Sequence, residues 1–178
     1  GHSKTITALL ANERTEPNIQ KKSGGYTALI IAANKEYTAA IAALLADERT
    51  EPNIQDKNGY TALILAASMG NTAAVIALLA DERTEPNIQD KDDHTALIFA
   101  AESGHTAAIT ALLTNERTEP NIQDKDGNTA LIYAAIMGYT AAVTALLSDE
   151  RIDANIKNIA GHTALMVAAA TGHTETVK

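Results

Sequence analysis

The fold is decided by residues 86–101, which read Pro-Asn-Ile-Gln-Asp-Lys-Asp-Asp-His-Thr-Ala-Leu-Ile-Phe-Ala-Ala. Closely similar stretches begin at Pro52 and Pro120, and the threonine that opens Thr-Ala-Leu recurs every 34 residues from Thr27 to Thr163. A fixed period of this length indicates a stack of structural repeats, in which each unit packs on its neighbours. The chain is therefore predicted to form one continuous array.

Each repeat is predicted to contain two short helices. In the central repeat, Thr95 is a candidate N-cap for the first helix, because its hydroxyl can accept a hydrogen bond from a free backbone N–H. Gly104 can take the left-handed conformation that ends this helix, and Thr106 can begin the second one. Apolar residues recur at i, i+3 and i+4 in both helices, which gives each helix one buried face. These predicted core residues are Leu97, Ala100, Ala101, Ile109, Leu112 and Leu113.

A long loop links each second helix to the next first helix. Pro120 cannot continue a helix, and residues 124–127, Asp-Lys-Asp-Gly, are typical of a β-turn. Fifteen residues separate Leu113 from Thr129 across this loop. Tetratricopeptide repeats share the 34-residue period, but a purely helical repeat would join its helices tightly, so the long loop argues against that class.

The internal layout resembles the ankyrin repeat. The pattern Asp-x-x-Gly-x-Thr-Ala-Leu-Ile-x-Ala-Ala-x-x-Gly, followed by Leu-Leu and a later Asn, recurs in phase over essentially the whole chain. The resemblance implies an all-α repeat solenoid, in which antiparallel helix pairs with projecting β-hairpin loops stack into one curved domain. Because the sequence begins and ends inside a unit, we expect a fragment of a longer array. The predicted units are a half repeat at 1–24, repeats at about 25–58, 59–92, 93–126 and 127–160, and a partial repeat at 161–178.

Three departures from the ankyrin pattern carry structural predictions. Thr-Ala-Leu-Ile at residues 61–64 stands where the family has Thr-Pro-Leu-His, so apolar packing replaces a histidine hydrogen bond. One additional residue lies between Leu79 and Asn87, and we expect the second helix to run on slightly toward Pro86. Residues 21–25 hold one residue more than the equivalent turns, which predicts an irregular first hairpin.

Composition argues against several classes of function. The formal net charge is −8, with 22 acidic and 14 basic residues, which does not suit binding to a nucleic-acid backbone. The absence of cysteine removes disulfides and thiolate chemistry, and it permits a reducing intracellular, cytoplasmic location. The cytosol of a host is the alternative if the protein is a secreted effector. The longest apolar run, residues 39–46, is far shorter than the roughly 20 residues of a membrane-spanning helix, so no membrane segment is expected.

No metal, cofactor or catalytic site is expected. The turn at 124–128 begins like a calcium loop but lacks the glycine and the glutamate that such a loop requires. Five scattered serines include no nucleophile elbow, and no glycine loop for phosphate is present, so the chain is predicted not to be an enzyme. Four histidines are too widely spaced to form a close ligand pair, which favours surface or capping roles. They are His94, His105, His162 and His173.

Positions that vary between nearly identical repeats indicate where a partner binds. Residues 48–57, 82–91 and 116–125 are the same ten amino acids, whereas other positions change from repeat to repeat. Leu65 lies two residues after Leu63, so it points away from a core that contains Leu63. In an ankyrin array that direction is the concave groove, with the hairpin tips at its edge. The predicted partner-binding residues are Tyr60, Leu65, Met69, Asp92, His94, Phe99, Asp126, Asn128, Tyr133 and Met137.

Two interpretations of the groove residues remain open. Aromatic and methionine side chains beside acidic turns, which include Asp56, Asp90 and Asp124, suit a partner with basic and apolar side chains. Alternatively, Phe99 and Tyr133 pack between neighbouring repeats and their variation has no binding role. The resemblance also implies asparaginyl hydroxylation as a second use of the hairpins, although the asparagine more often only bonds the turn. The candidates for hydroxylation are Asn53, Asn87, Asn121 and Asn155.

The sequence thus predicts a protein-protein interaction scaffold that has no cofactor and binds neither nucleic acid nor membrane. An engineered ankyrin binder and the targeting module of a larger enzyme are the alternative interpretations. A monomer is expected. Arrays could also stack end to end, through Ile6, Leu9 and Leu10 at one end and Val167 at the other.

Overall fold

The computed structural model describes residues 2–172, which form ten helices and contain no β-strand. Four complete helix pairs lie between a single helix at each end, so the predicted all-α repeat solenoid is confirmed. The expected second helix of the last repeat, with His173, lies outside the described residues. The helices are α1 (His2–Leu10), α2 (Ala28–Asn34), α3 (Thr38–Leu45), α4 (Ala62–Ser68), α5 (Thr72–Leu79), α6 (Ala96–Glu102), α7 (Thr106–Thr114), α8 (Ala130–Ile136), α9 (Thr140–Leu147) and α10 (Ala164–Thr171).

The first helix of every pair is short, and a threonine caps it. Thr95 Oγ1 accepts the backbone N–H of Ile98 at 3.3 Å, which satisfies one donor that a helix N-terminus leaves free. Gly104 follows this helix with φ of +71°, as predicted, and the ring of Tyr139 lies where a Cβ at Gly104 would be. The turn between the two helices therefore requires glycine for both conformation and space.

The core lies between the two helices of each pair and continues from repeat to repeat. First helices pack on first helices, and second helices pack on second helices. The predicted stripe is confirmed, since five of its six members are buried and Leu113 is half-buried. Alanines such as Ala100 and Ala101 occupy many of these positions, and their small side chains let neighbouring helices approach closely.

The projecting loops are tight turns that a carboxylate organises. Asp90 Oδ1 accepts the N–H groups of Asp92 and His94 at 2.9 and 2.8 Å, and the Asp90 N–H donates to the His94 carbonyl. Asp56 and Asp124 do the same in their repeats. The expectation that these three aspartates lie on an acidic rim is wrong, because each is only 7% exposed. Backbone donors compensate the desolvation of a buried carboxylate oxygen.

The loop after most second helices turns sooner than predicted, and only α7 among the described helices runs on, by one residue. Helix α5 ends at Leu79 instead of running on toward Pro86. Asp81 Oδ1 accepts the Arg83 N–H at 2.9 Å, and the Thr84 N–H donates to the Asp81 carbonyl. The additional residue of the 34-residue repeat is thus taken up by a turn that the Asp81 side chain holds closed.

The Arg83 guanidinium of this loop joins two repeats. It donates to the backbone carbonyls of three residues in the preceding repeat, at 2.8 to 3.1 Å. It also pairs with Asp81, whose pKa is lowered chiefly by this side-chain hydrogen bond. Arg49 and Arg151 make the same contacts, and we call these three residues the arginine bridges. The carbonyls that Arg83 binds belong to Leu45, Glu48 and Thr50.

Candidate functional site

One side of the first helices, together with residues next to their ends, carries most of the residues that were predicted to bind a partner. Leu63 is 2% exposed, whereas Leu65, two residues later, is half-buried on the opposite side of helix α4. Residues at equivalent positions of the next repeats continue this surface, which we call the helix-one face. It consists of Tyr60, Leu65, Met69, His94, Phe99, Ser103, Tyr133 and Met137.

Aromatic rings connect three repeats along the helix-one face. The ring of Phe99 lies 5.5 Å from that of Tyr60 and 5.2 Å from that of His94, both edge to face. His94 in turn lies 5.6 Å from the ring of Tyr133. Phe99 and Tyr133 are half-buried, so they pack between repeats and still present part of each ring to solvent. The packing of these two rings between repeats is therefore confirmed, and their role in binding a partner stays a prediction.

A hydrogen-bonded cluster fixes one end of this aromatic row. The Tyr133 hydroxyl donates to Asp124 Oδ2 at 2.6 Å. His94 Nε2 lies 3.2 Å from Asp124 Oδ2 and 3.2 Å from the Tyr133 hydroxyl oxygen. Burial raises the pKa of the Tyr133 phenol above its ordinary value, and the hydrogen bond to Asp124 raises it further. Asp90 Oδ2 lies 4.0 Å from the other ring nitrogen of His94. The imidazole thus lies between the carboxylates of two successive repeats.

The equivalent position in an earlier repeat lacks this arrangement. Leu65 stands where the later repeat has Tyr133, so no hydroxyl reaches the equivalent aspartate, Asp56. Asp56 Oδ2 is buried and has no hydrogen-bond partner within the described residues. The same turn is therefore complete at Asp124 and incomplete at Asp56.

The exposure of the remaining predicted residues varies. Met69 and Met137 are 48% and 45% exposed, and the side chain of Asp92 is 73% exposed with a contact to Lys125 at 3.5 Å. Asp126 is exposed as well. Asn128 is only 8% exposed, and its side-chain oxygen accepts a hydrogen bond from Asn158 at 2.9 Å. Asn128 was expected on the partner-binding surface, but its side chain is buried and hydrogen-bonds to the following repeat.

Glu102 is a residue of this surface that the sequence analysis missed. It is the one charged residue in the five first helices, at a position where other repeats have Asn34, Ser68 and Ile136. Glu102 is half-buried and makes no hydrogen bond or ion pair within the described residues. Its charge contributes to raising the pKa of both Tyr60 and Tyr133, after the larger effect of burial. A search for charges inside apolar helices would have found it.

The candidate hydroxylation sites also join repeats. The Asn53 side chain donates to the Arg83 carbonyl at 2.8 Å and accepts the Glu85 N–H at 2.9 Å. Asn87 and Asn121 make the same pair of bonds to the following repeat. Asn155 is exposed, and its side chain forms no such bond within residues 2–172. Hydroxylation stays a prediction, with Asn155 the most accessible of the four.

The residues predicted to stack arrays end to end differ in their exposure. Leu9 is 57% exposed, whereas its equivalent Leu44 is 4% exposed. Ile6, Leu10 and Val167 are half-buried. End-to-end stacking stays a prediction.

The described residues show neither a metal-binding cluster nor a membrane-spanning helix. Residues 2–172 contain no group of three or more His, Asp or Glu side chains that could hold a metal ion. Across the same range, every helix is too short or too polar to cross a membrane.

These features define a solenoid of stacked helix pairs with one variable, partly apolar face. The family described as "Ankyrin repeats (3 copies)" matches residues 1–90, 70–158 and 97–178. The chain belongs to the ankyrin-repeat family, as its internal pattern predicted.

A solved ankyrin-repeat structure resembles this chain over nearly its whole length. The structure titled "Crystal Structure of EF0377 an Ankyrin Repeat Protein" is similar, with a TM-score of 0.90 and 27% sequence identity. That similarity covers 98% of this chain and 89% of the other. No curated protein matches this sequence. Ankyrin repeats are generally protein-interaction modules, and their fold is typically a binding scaffold without catalytic activity.

Proposed function

We propose that this chain is a scaffold that binds a partner protein through the helix-one face and the exposed loop tips. The observation that carries the proposal is the row of half-buried aromatic rings from Tyr60 to Tyr133, which exposed Met69 and Met137 flank. Aromatic and methionine side chains are enriched where proteins bind each other, because they offer large contact areas. The proposed role is binding, not catalysis.

The partner is expected to combine basic and apolar side chains. Asp92 and Asp126 lie exposed at the loop tips, and Glu102 lies within the helix-one face. The five first helices contribute no basic residue to compensate these charges. Complementary charge on a partner would therefore steer the encounter and select the partner.

The experiment compares variants on opposite sides of the array. The partner is isolated from cells of the source by affinity capture with the wild-type chain, and its affinity is then measured for each variant. Met69→Ala/Met137→Ala removes exposed side chains and should weaken binding several-fold with little effect on folding. Phe99→Ala/Tyr133→Ala should abolish binding while thermal unfolding remains cooperative.

A matched control uses exposed apolar residues of the second helices. Ile76→Ala/Leu147→Ala removes side chains that are 57% and 51% exposed on α5 and α9, and binding should stay unchanged. If the control variant no longer binds the partner while both helix-one variants still bind it, the proposal is refuted.

A further inference from the structure

Glu102 is an unusual residue for its position in the fold. It lies at the end of helix α6, in the central repeat, and no side chain within the described residues neutralises it. A half-buried carboxylate is partly desolvated, and a hydrogen-bonding cation would compensate that cost. At the same position, the neighbouring repeats have the uncharged residues Ser68 and Ile136, so the repeat architecture does not require a carboxylate there.

Glu102 belongs to the side of helix α6 that carries Phe99. Phe99 lies one helical turn before it, where side chains at i and i+3 are neighbours, and Phe99 contacts Tyr60 of the preceding repeat. The negative charge of Glu102 acts on the phenols of both Tyr60 and Tyr133, which lie in the repeats on either side. Glu102 therefore lies on the same side of helix α6 as Phe99, between repeats that each carry one of these tyrosines.

Several carboxylates make this surface negative. Burial raises the pKa of Tyr60, and the charges of Asp90, Asp56, Asp92 and Glu102 raise it further. Lys125 contacts Asp92 at 3.5 Å, but both side chains are more than half exposed, so solvent weakens this pair. A cation that reaches the Tyr60 side of the face would meet both a carboxylate and aromatic rings.

We propose that Glu102 binds an arginine side chain of the partner protein, on the surface that Tyr60, Phe99 and Tyr133 form around it. A planar guanidinium can donate two parallel hydrogen bonds to one carboxylate and lie against an aromatic ring, whereas a lysine ammonium acts as a strongly hydrated point charge. This inference rests on the proposed function and adds the position and the chemistry of one anchoring contact.

The test uses a random linear peptide library displayed on phage, selected against the whole chain. Clones that also bind the Phe99→Ala/Tyr133→Ala variant are removed. The dominant remaining peptide is synthesised with its arginine, with lysine in its place, and with citrulline, which has nearly the same shape but no charge. Affinities for the wild type, Glu102→Gln and Glu85→Gln are measured by calorimetry. Glu85 is an exposed glutamate of the loop that follows helix α5, so its variant controls for total charge.

The selected peptides should contain arginine. Glu102→Gln should weaken binding of the arginine peptide about tenfold, and Glu85→Gln less than about twofold. Citrulline should cause the same loss with the wild type and no further loss with Glu102→Gln, because both changes remove one contact. The melting temperature of Glu102→Gln should equal that of the wild type, since Glu102 has no partner to lose.

Several outcomes would overturn the inference. Peptides that need Phe99 and Tyr133 but lack arginine, or that bind equally well with lysine, would refute the guanidinium site and leave the proposed function intact. An arginine peptide that binds Glu102→Gln normally would do the same. If no selected peptide distinguishes the wild type from the Phe99→Ala/Tyr133→Ala variant, both proposals fail.

Discussion

The loop that links each second helix to the next first helix uses its side chains differently from the helix-one face. The loop repeats the same residues at 48–57, 82–91 and 116–125, and its arginine, asparagine and aspartate side chains bond to neighbouring backbone. The helix-one face changes from repeat to repeat. Met69 and Met137 are exposed there, and the Glu102 side chain has no hydrogen bond or ion pair within the described residues. Positions that are identical between repeats thus include those that hold the stack together, and we propose that the exposed positions among the variable ones bind the partner.

The turn aspartates give the largest expected change. Asp124 accepts two backbone N–H groups and the Tyr133 hydroxyl, whereas Asp56 accepts two N–H groups and nothing at its second oxygen. Asp124→Ala should lower the free energy of unfolding by about 3 kcal/mol, and Asp56→Ala by about 1 kcal/mol. Urea denaturation measures both. Equal losses would show that the contacts of Asp124 with the helix-one face contribute nothing.

The arginine bridges should contribute less than Asp124. Arg83→Ala removes donors to three carbonyls and the pair with Asp81, and it should lower the free energy of unfolding by about 2 kcal/mol. Arg117 is a natural control, because Asn115 stands where the other repeats have the aspartate. Within the described residues, the Arg117 guanidinium donates to one carbonyl, that of Glu82. Arg117→Ala should therefore cost less than about 1 kcal/mol. A larger loss for Arg117→Ala would contradict the assignment.

The contribution of Asp81 to stability should depend on pH. The hydrogen bond from Arg83 lowers the folded-state pKa of Asp81 below its ordinary value. The stabilisation is therefore present above the unfolded-state pKa and is lost as the pH falls through the folded-state pKa. The difference in stability between the wild type and Arg83→Ala should shrink in acid, and urea denaturation at several pH values would detect this change.

The smallest expected effect is a gain of stability on the helix-one face. Leu65→Tyr should place a hydroxyl near the unpaired Asp56 Oδ2, as Tyr133 does for Asp124, and raise the free energy of unfolding by about 1 kcal/mol. Leu65→Phe supplies the ring without the hydroxyl and should give no gain. If both variants stabilise equally, the ring rather than the hydrogen bond is responsible.

The periodic features could be predicted from the sequence because they depend on near neighbours. Threonine caps such as Thr95 and the stripe through Leu97 and Ala101 follow from helical spacing alone. The burial of Asp90 could not be predicted, because an aspartate in a turn normally faces water. The predicted second helix was longer than the observed one, because the sequence does not show that the Asp81 side chain closes a turn after Leu79.

The site could be predicted only in part, for a related reason. Phe99 and Tyr133 were found from their variation, but Asn128 varies as well and is buried against Asn158. Contacts between residues 30 to 39 positions apart decide such cases, as in the bonds of His94 to Asp124 and Tyr133. Glu102 is the one charge in the first helices, but the sequence does not show that its side chain is half-buried and lacks a partner within the described residues.

The substitution of aspartate by Asn115 gives the array a preferred place to open. The Arg117 guanidinium donates to one carbonyl of the preceding repeat, whereas each arginine bridge donates to three. Among the described junctions between second helices, we therefore expect the one between α5 and α7 to be the weakest. In a linear stack, opening free energies are set by individual junctions. We expect hydrogen exchange to show the protein separating there into two halves before it unfolds completely. An array of nearly identical units would in this way still open in a defined order.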